Sequence, residues 1–252
     1  MTYIFQHLPP LSEVVGHTVE PVDVRGSTEF VILDSDRDGE GEVMVSPDIG
    51  VCDNCKKELE DPDDRRFRYP FINCTDCGPR LTITKELPYD RPKTTMAPFP
   101  MCGECGGEYH DPMDRRYHAQ PVSCFYCGPV LALLNCGTGE KETKTGNPLD
   151  PLLHAAEKIK EGHVVAIKGL GGYHLACLAT SDKALEKLRT YKKRKRKPFA
   201  LMGTLDMIRQ YCEVSEAEER FLVSPSAPIL LLDNKPPNET GSTVPPQSPL
   251  PA

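Results

Sequence analysis

"CDNCKKELEDPDDRRFRYPFINCTDC", residues 52–77, and "CGECGGEYHDPMDRRYHAQPVSCFYC", residues 102–127, are two copies of one pattern. Each reads C-x2-C-x18-C-x2-C, so an offset of 50 turns Cys52, Cys55, Cys74 and Cys77 into Cys102, Cys105, Cys124 and Cys127. The copying extends past the cysteines. Glu58 and Glu108, Asp61-Pro62 and Asp111-Pro112, Asp64-Arg65-Arg66 and Asp114-Arg115-Arg116, and Gly78-Pro79 and Gly128-Pro129 all recur at the same offset, which marks an internal duplication. A C-x2-C turn sets two sulfurs about 2.3 Å from one metal ion, and a second such turn completes a tetrahedron of thiolates. Four protein ligands leave no open position for water or substrate, so the spacing predicts two structural sites rather than hydrolytic ones. Tetrahedral sulfur suits zinc or iron. A pair of redox centres needs an electron-transfer path that nothing else in the chain supplies, which favours zinc. Sequential pairing within each repeat needs no exchange of ligands between repeats, and a crossed arrangement is the open alternative.

Four thiolates around one divalent ion leave a charge of about −2 at each site. Arg65, Arg66, Arg115 and Arg116 lie between the knuckles of their own repeats, where they are placed to relieve it, with Asp64 and Asp114 to orient them. A solvated charged turn after Asp-Pro is the competing reading, and neither makes these arginines catalytic. Few apolar residues separate the ligands, so metal binding is expected to supply most of the folding free energy of residues 50–134. Structural zinc contributes about 10–16 kcal/mol in finger peptides, and chelation is expected to unfold the module. The remaining cysteines, Cys136, Cys177 and Cys212, have no partner spacing, and Cys177 and Cys212 read as small buried residues.

Composition fits this picture. Hydrophobic types reach 38% of the 252 residues, aromatics 7%, and tryptophan is absent. Something besides a large core must therefore help hold the chain. The longest apolar runs are "VVAI" at 164–167 and "PILLL" at 228–232. Both fall far below the roughly 20 residues of a membrane span. The start, "MTYIFQHLPPLSEVV", lacks the basic and apolar blocks of a secretory signal, which predicts a cytoplasmic protein. Cysteines at fixed spacing in that compartment are metal ligands rather than disulfides. A formal charge of −7 argues against a general nucleic-acid binder.

Outside the repeats, residues 1–48 are loosely patterned, with "EFVIL" at 29–33 the one convincing strand. Residues 135–149 have the Gly, Thr and Lys content of a linker or exposed hairpin. From Asp150 the signals sharpen. Leu152, Leu153, Ala156 and Ile159 share a face of a helix that Gly162 stops. The strand "VVAIKG", the turn at 169–172, "YHLACLA", a helix from Asp182 to Lys193, a strand "PFALMG", two helical stretches and the strand "PILLL" follow, an alternation that predicts an α/β domain. Residues 233–252 hold six prolines and little apolar material, the composition of a disordered tail.

A second chemical signal is "KKRKRK", six consecutive cations at 192–197, before Pro198, where a helix must stop. One reading is a solvated helix end that complements the dipole. The other is an anion site, in which the cations and the glycine-rich turn at 169–172 hold the phosphates of a nucleotide. "GLGG" alone is weak, because it does not lead directly into a helix. Lys168 before it stands at a strand end, where ligands of α/β sheets often bind.

Taken together, "CDNCKKELEDPDDRRFRYPFINCTDCGPR", "LPYDRPKTTM", "MCGECGGEYHDPMDRRYHAQPVSCFYCGP" and "IKGLGGYHLAC" resemble the HypF family of hydrogenase-maturation carbamoyltransferases over about residues 28–232. The resemblance implies an α+β multidomain chain: a remnant of an acylphosphatase-like domain end and linker at 1–48, tandem zinc fingers at 49–134, a linker at 135–149, an incomplete YrdC-like α/β domain at 150–232, and the tail at 233–252. It implies an enzyme that uses carbamoyl phosphate and ATP to form a carbamoyl adenylate. The carbamoyl group then passes to the C-terminal cysteine of a HypE-type partner and becomes a cyanide ligand of a nickel-iron hydrogenase. It also implies two structural zinc ions on the eight cysteines and a site for ATP, as substrate, at Lys168, Tyr173, Lys192, Arg194 and Lys197, the last three on the K-x-R-x-x-K-P pattern with Pro198.

The departures from the family are a missing acylphosphatase anion loop, a missing Ser-x-Asn segment after "SPSAPILLLD", and no large C-terminal domain, so the chain reads as a fragment inactive alone. Two other readings stand beside this one. A YrdC-like protein making threonylcarbamoyl-adenylate for tRNA modification lacks the doubled finger module. A non-catalytic zinc scaffold for a protein or RNA partner has the net acidic charge and the shortage of aromatics against it in the RNA case.

Overall fold

Each repeat opens with its first cysteine as a helix cap. In the computed structural model, which describes residues 5–8, 12, 14, 16–24, 26, 28–29, 45–142, 147–169, 172–194 and 197–235, α1 spans Asp53–Glu60 and α2 spans Gly103–His110, with Cys52 and Cys102 at the N-caps. Cys52 Sγ accepts the Cys55 amide at 3.5 Å. Both helices end at the residue before a proline, because the ring of the next residue drives its predecessor out of the α region. Asp61 and Asp111 accordingly take extended backbone, at ψ 112° and 113°. The strand expected at 29–33 lies, apart from Glu29, outside the described residues, as does the tail from 236 onward.

The chain divides into two units, residues 1–61 with 71–128, and residues 62–70 with 129–252. The first has a core built around sulfur. Cys105, Ala119, Val122 and Cys124 cluster with Met101, Tyr109 and Cys127, and Cys55, Cys74 and Cys77 are buried in turn. Polar groups complete it. The buried Arg91 donates to the Gln120 carbonyl at 2.7 Å, the Val122 carbonyl at 2.8 Å and the Phe99 carbonyl at 2.7 Å. It thereby satisfies backbone that has no sheet to pair with. The low apolar content is thus offset by ligand sulfurs and satisfied polar groups.

In the second unit a hairpin-like bridge joins Leu134, just before the segment 135–149 read as a linker or exposed hairpin, to Lys141 inside it. Helix α3 spans Asp150–Lys160 with proline in its first turn, and Gly162 terminates it at φ +82°, a left-handed position that glycine fills without strain. The apolar face expected of α3 is open in part: Leu152 and Leu153 are exposed. Strands β1, Val165–Lys168, and β2, Tyr173–Ala176, pair antiparallel, with Val165 opposite Ala176 and Lys168 opposite Tyr173. Helices α4 (Asp182–Lys192), α5 (Leu205–Tyr211) and α6 (Glu216–Leu222) follow, capped by Ser181, Thr204 and Ser215. Ser215 and Glu218 form a full capping box.

Two of the expected strands are absent among the described residues. "PFALMG" and "PILLL" run as irregular chain, with Met202, Ile229 and Leu231 exposed, because a strand is stable only against a partner strand and neither segment has one. The alternation of elements therefore gives four helices and one two-stranded antiparallel sheet among the described residues of this unit, with α3 in contact with β1.

Candidate metal centres and a basic loop

Four ligands at about 2.3 Å from a tetrahedrally coordinated zinc stand about 3.8 Å from one another. In the first repeat the Cys52 and Cys74 sulfurs are 3.7 Å apart, Cys74 and Cys77 3.8 Å, and Cys77 and Cys55 3.5 Å. The second repeat matches, with 3.9 Å for Cys102 and Cys124, 3.8 Å for Cys124 and Cys127, and 3.6 Å for Cys127 and Cys105. These spacings are far longer than a disulfide bond, which measures about 2.05 Å. All eight cysteines are free. The donor set and its spacing fit two zinc ions, one per repeat, and the pairing is sequential rather than crossed. With four sulfurs each, both centres are closed, so their work is to hold the unit together.

Arg115 and Arg116 reach across the duplication to the first repeat, and Arg116 also lies 3.9 Å from Glu108 of its own. Arg115, of the second repeat, points its guanidinium at the first cluster, with Nη1 and Nη2 at 3.2 and 3.4 Å from Cys55 Sγ. Its Nε donates to Glu58 at 3.1 Å. Arg116, 3% exposed, binds the same carboxylate and donates from Nε to the Asn73 carbonyl at 3.0 Å. Burial alone would raise the Glu58 carboxyl, but hydrogen bonds from Arg116 and Arg115 outweigh it and hold it below the ordinary carboxylate range. Burial likewise opposes the Arg115 charge, and hydrogen bonds to Glu58 and the Cys55 sulfur overcome it, raising the guanidinium above its ordinary value. Asp64 and Asp114 have a different task from the one expected of them. Each accepts the backbone amide two residues on, at 2.7 Å, and so fixes its turn.

The nucleotide-site candidates lie in the second unit. Lys168 and Tyr173 are opposite each other at the turn end of the hairpin, with Lys168 Nζ 5.3 Å from the centre of the Tyr173 ring, within cation–π reach. Gly169 donates to the Gly172 carbonyl at 2.7 Å, closing the turn between them. Lys192 is the last residue of α4. The helix stops there, well before Pro198, because Lys193 adopts φ +52° and the Lys193 and Arg194 amides turn back to the Thr190 and Arg189 carbonyls, a Schellman closure. Arg194 and Lys197 are exposed, while Lys195 and Arg196 are outside the described residues. Among the described residues no hydrogen bond or ring contact joins Lys168 and Tyr173 to Lys192, Arg194 or Lys197.

Arg189, which sequence reasoning passed over, organises this loop. Its Nη1 donates to the carbonyls of Arg194 and Lys197, both at 3.3 Å, and its guanidinium lies 5.0 Å from the Phe199 ring centre. Its place three residues before the helix end was the signal available. Cys177 and Cys212 are half-buried rather than fully buried, and burial raises both thiols. In the first unit a cleft of about 60 Å³ borders Cys74, Cys77, Arg80, Tyr89 and Gln120. That volume is far short of what a nucleotide requires. No helix among the described residues is long and apolar enough to cross a membrane.

Comparison with known proteins places both units. The HypF finger family model matches residues 51–84 and 101–134, and a model described as telomere recombination, for the Sua5, YciO and YrdC group, matches 157–248. Carbamoyltransferase HypF of Synechocystis sp. is 51% identical over 229 residues, which is 90% of this chain and 29% of that protein. Carbamoyltransferase HypF2 of Cupriavidus necator is 49% identical over 230 residues, 89% of this chain and 28% of that one. A crystal structure of full-length HypF in the phosphate- and nucleotide-bound form aligns with TM-score 0.81 at 48% identity, covering 93% of this chain and 30% of its own. The chain thus spans less than a third of the length of the relatives it matches.

Proposed function

Since the chain belongs to the HypF family of carbamoyltransferases over the segment it shares with them, we propose that it supplies the zinc-finger and adenylate-forming part of such an enzyme. The reaction is transfer of a carbamoyl group, drawn from carbamoyl phosphate with ATP through a carbamoyl adenylate, to the C-terminal cysteine of a HypE-type partner. The observation that supports this most is the 48% identity to a HypF whose crystal structure is phosphate- and nucleotide-bound.

In this reading ATP lies against the second unit, with Lys168, Lys192, Arg194 and Lys197 setting positive charge around its phosphates and Tyr173 beside them. Forming an adenylate expels pyrophosphate, so charge accumulates on phosphate oxygens as the bond to the leaving group breaks. Fixed cations stabilise that charge. Arg189 holds the loop that carries two of these cations, and acts as a positioning residue. The zinc clusters, closed by four sulfurs, take no part in the chemistry and stiffen the unit that bears them. The doubled finger separates this reading from the tRNA-modification one, to which the second unit alone would also belong.

Titration calorimetry with ATP tests the assignment. Binding that disappears in Lys192→Ala and Arg194→Ala, with two zinc per chain retained, is the expected result. Two zinc without ATP binding by the unsubstituted chain overturns the nucleotide role and leaves a zinc scaffold.

A further inference from the structure

A set of hydrogen bonds ties one short stretch of the second repeat to the first metal centre and its immediate flanks. Arg115 reaches Cys55 Sγ and Glu58 through its guanidinium. Through its carbonyl the same residue accepts the amide and the hydroxyl of Thr75, at 3.3 and 3.0 Å, and Thr75 follows Cys74 in the second knuckle. Arg116 holds the Asn73 carbonyl, and the Asn73 side-chain amide donates to the Pro121 carbonyl at 3.0 Å. Asn73 directly precedes Cys74. The stretch 115–121 therefore touches one ligand of the first centre, Cys55, and grips a second, Cys74, by the residues on both sides of it.

That stretch lies between Cys105 and Cys124, which both belong to the second centre. It contains no helix or strand of its own. It is flanked by Cys105, ten residues before it, and Cys124, three residues after it, so closure of that cluster by metal restrains where the stretch can lie. Groups that hydrogen-bond to metal ligands tune affinity, and removing one costs about 10- to 100-fold.

We propose that the two zinc centres are energetically coupled, with Arg115 as the main link: zinc in the second repeat sets the stretch 115–121, which completes the outer shell of the first. Coupling between two binding events is reciprocal, so zinc in the first repeat strengthens the second by the same factor. The guanidinium offsets part of the negative charge of the first tetrathiolate and orients Cys55, and the Thr75 and Asn73 bonds hold the second knuckle at ligand distance. The pair then loads and releases metal as one assembly rather than as two independent fingers.

The inference rests on zinc occupying both clusters, which elemental analysis checks first and separately as two zinc per chain. The full chain is then titrated with a chelator, quenched with an alkylating agent and digested. Mass spectrometry reads Cys52, Cys55, Cys74 and Cys77 apart from Cys102, Cys105, Cys124 and Cys127. In Arg115→Ala the first set is expected to lose zinc at about 10- to 100-fold lower chelator activity. Arg115→Lys keeps the charge but not the fork, and falls between. Cys105→Ser, which empties the second centre, weakens the first by at least as much as Arg115→Ala, and Cys52→Ser weakens the second by a matching factor. First-set release unchanged in Arg115→Ala, or a Cys105→Ser chain that holds its first zinc as tightly as the unsubstituted chain, overturns the proposal. Arg115→Ala retains all eight ligands, so its result stands even where a cysteine variant fails to fold.

Discussion

Arg115 and Cys55 are 60 positions apart and in different repeats, yet the guanidinium of one lies 3.2 Å from the sulfur of the other. The two copies of the four-cysteine unit thus form a pair in which one copy serves a ligand of the other. Glu58 is the pivot of this exchange, since both Arg115 and Arg116 converge on its carboxylate.

Glu58→Gln tests that convergence. The substitution leaves Arg116, whose side chain is only 4% exposed, and Arg115 without their shared carboxylate. Removing one partner of a buried charge cluster costs about 3–5 kcal/mol, and partial exposure of Glu58 brings the expected loss down to about 2 kcal/mol. The thermal midpoint should fall while zinc content stays at two per chain. An unchanged midpoint would show that the arginines find other acceptors.

Much of the finger unit is legible in the sequence because its determinants are local. Cys52 and Cys55 share a helix cap and its first turn, and Asp61 before Pro62 fixes where that helix stops. The spacing makes a sequential grouping of ligands the simpler one but leaves the crossed arrangement open, and the sulfur positions decide between them. The reach of Arg115 is not local: offset arithmetic places Arg115 in register with Arg65, but it does not say which copy's sulfur the side chain faces. The second unit fails differently. "PFALMG" and "PILLL" have strand composition, and strand formation depends on a partner that composition does not name. The pattern places the end of α4 at Lys193, within one residue of the observed end, but a left-handed closure needs only one residue at positive φ, and composition does not mark Lys193 as that residue.

Gly78 and Gly107 give opposite expectations for the same substitution. Gly78 sits at φ +107°, and a Cβ there would lie 2.6 Å from Asn73 Cβ, beside the Cys74 knuckle. Gly78→Ala is expected to cost at least about 2 kcal/mol, from backbone strain and the forced shift of Asn73. Gly107 is inside α2 with open space around it. Gly107→Ala should therefore stabilise by about 0.5–1 kcal/mol. Denaturant unfolding of both variants checks the pair, and a destabilised Gly107→Ala would contradict the described geometry of α2.

Arg189→Ala should loosen the basic loop without removing any of the cations assigned to the phosphates. The carbonyls of Arg194 and Lys197 lose their shared donor and Phe199 loses its stacked guanidinium. The measurable consequence is faster tryptic cleavage at the basic run, by several-fold, with α4 content by circular dichroism nearly unchanged. ATP affinity should fall by about 10-fold, the scale of one positioning contact worth roughly 1.4 kcal/mol. Cleavage at the unsubstituted rate would remove Arg189 from its positioning role.

Asp48 makes a contribution to stability that favours neutral over acidic conditions. Its Oδ1 accepts the amides of Arg80 at 2.8 Å and Thr82 at 3.1 Å, and its other oxygen accepts the Thr82 hydroxyl. Burial pushes this carboxyl up, but the hydrogen bonds from Thr82 and Arg80 win and hold it below its ordinary range. A folded-state pKa below the unfolded one means that the unfolded chain binds more protons as pH falls, so stability from this group is complete above the ordinary aspartate value of about 3.9 and is lost as pH drops through the folded value. At neutral pH Asp48→Asn should therefore be less stable by about 1 kcal/mol, a low figure for charge-assisted hydrogen bonds because the carboxylate is partly solvated. The quantity to follow is the difference between the two chains as the pH is lowered, in which the shared loss of zinc from protonated thiolates cancels. That difference should shrink towards zero in strong acid. A gap that persists there would assign the loss to the altered shape of the side chain rather than to its charge.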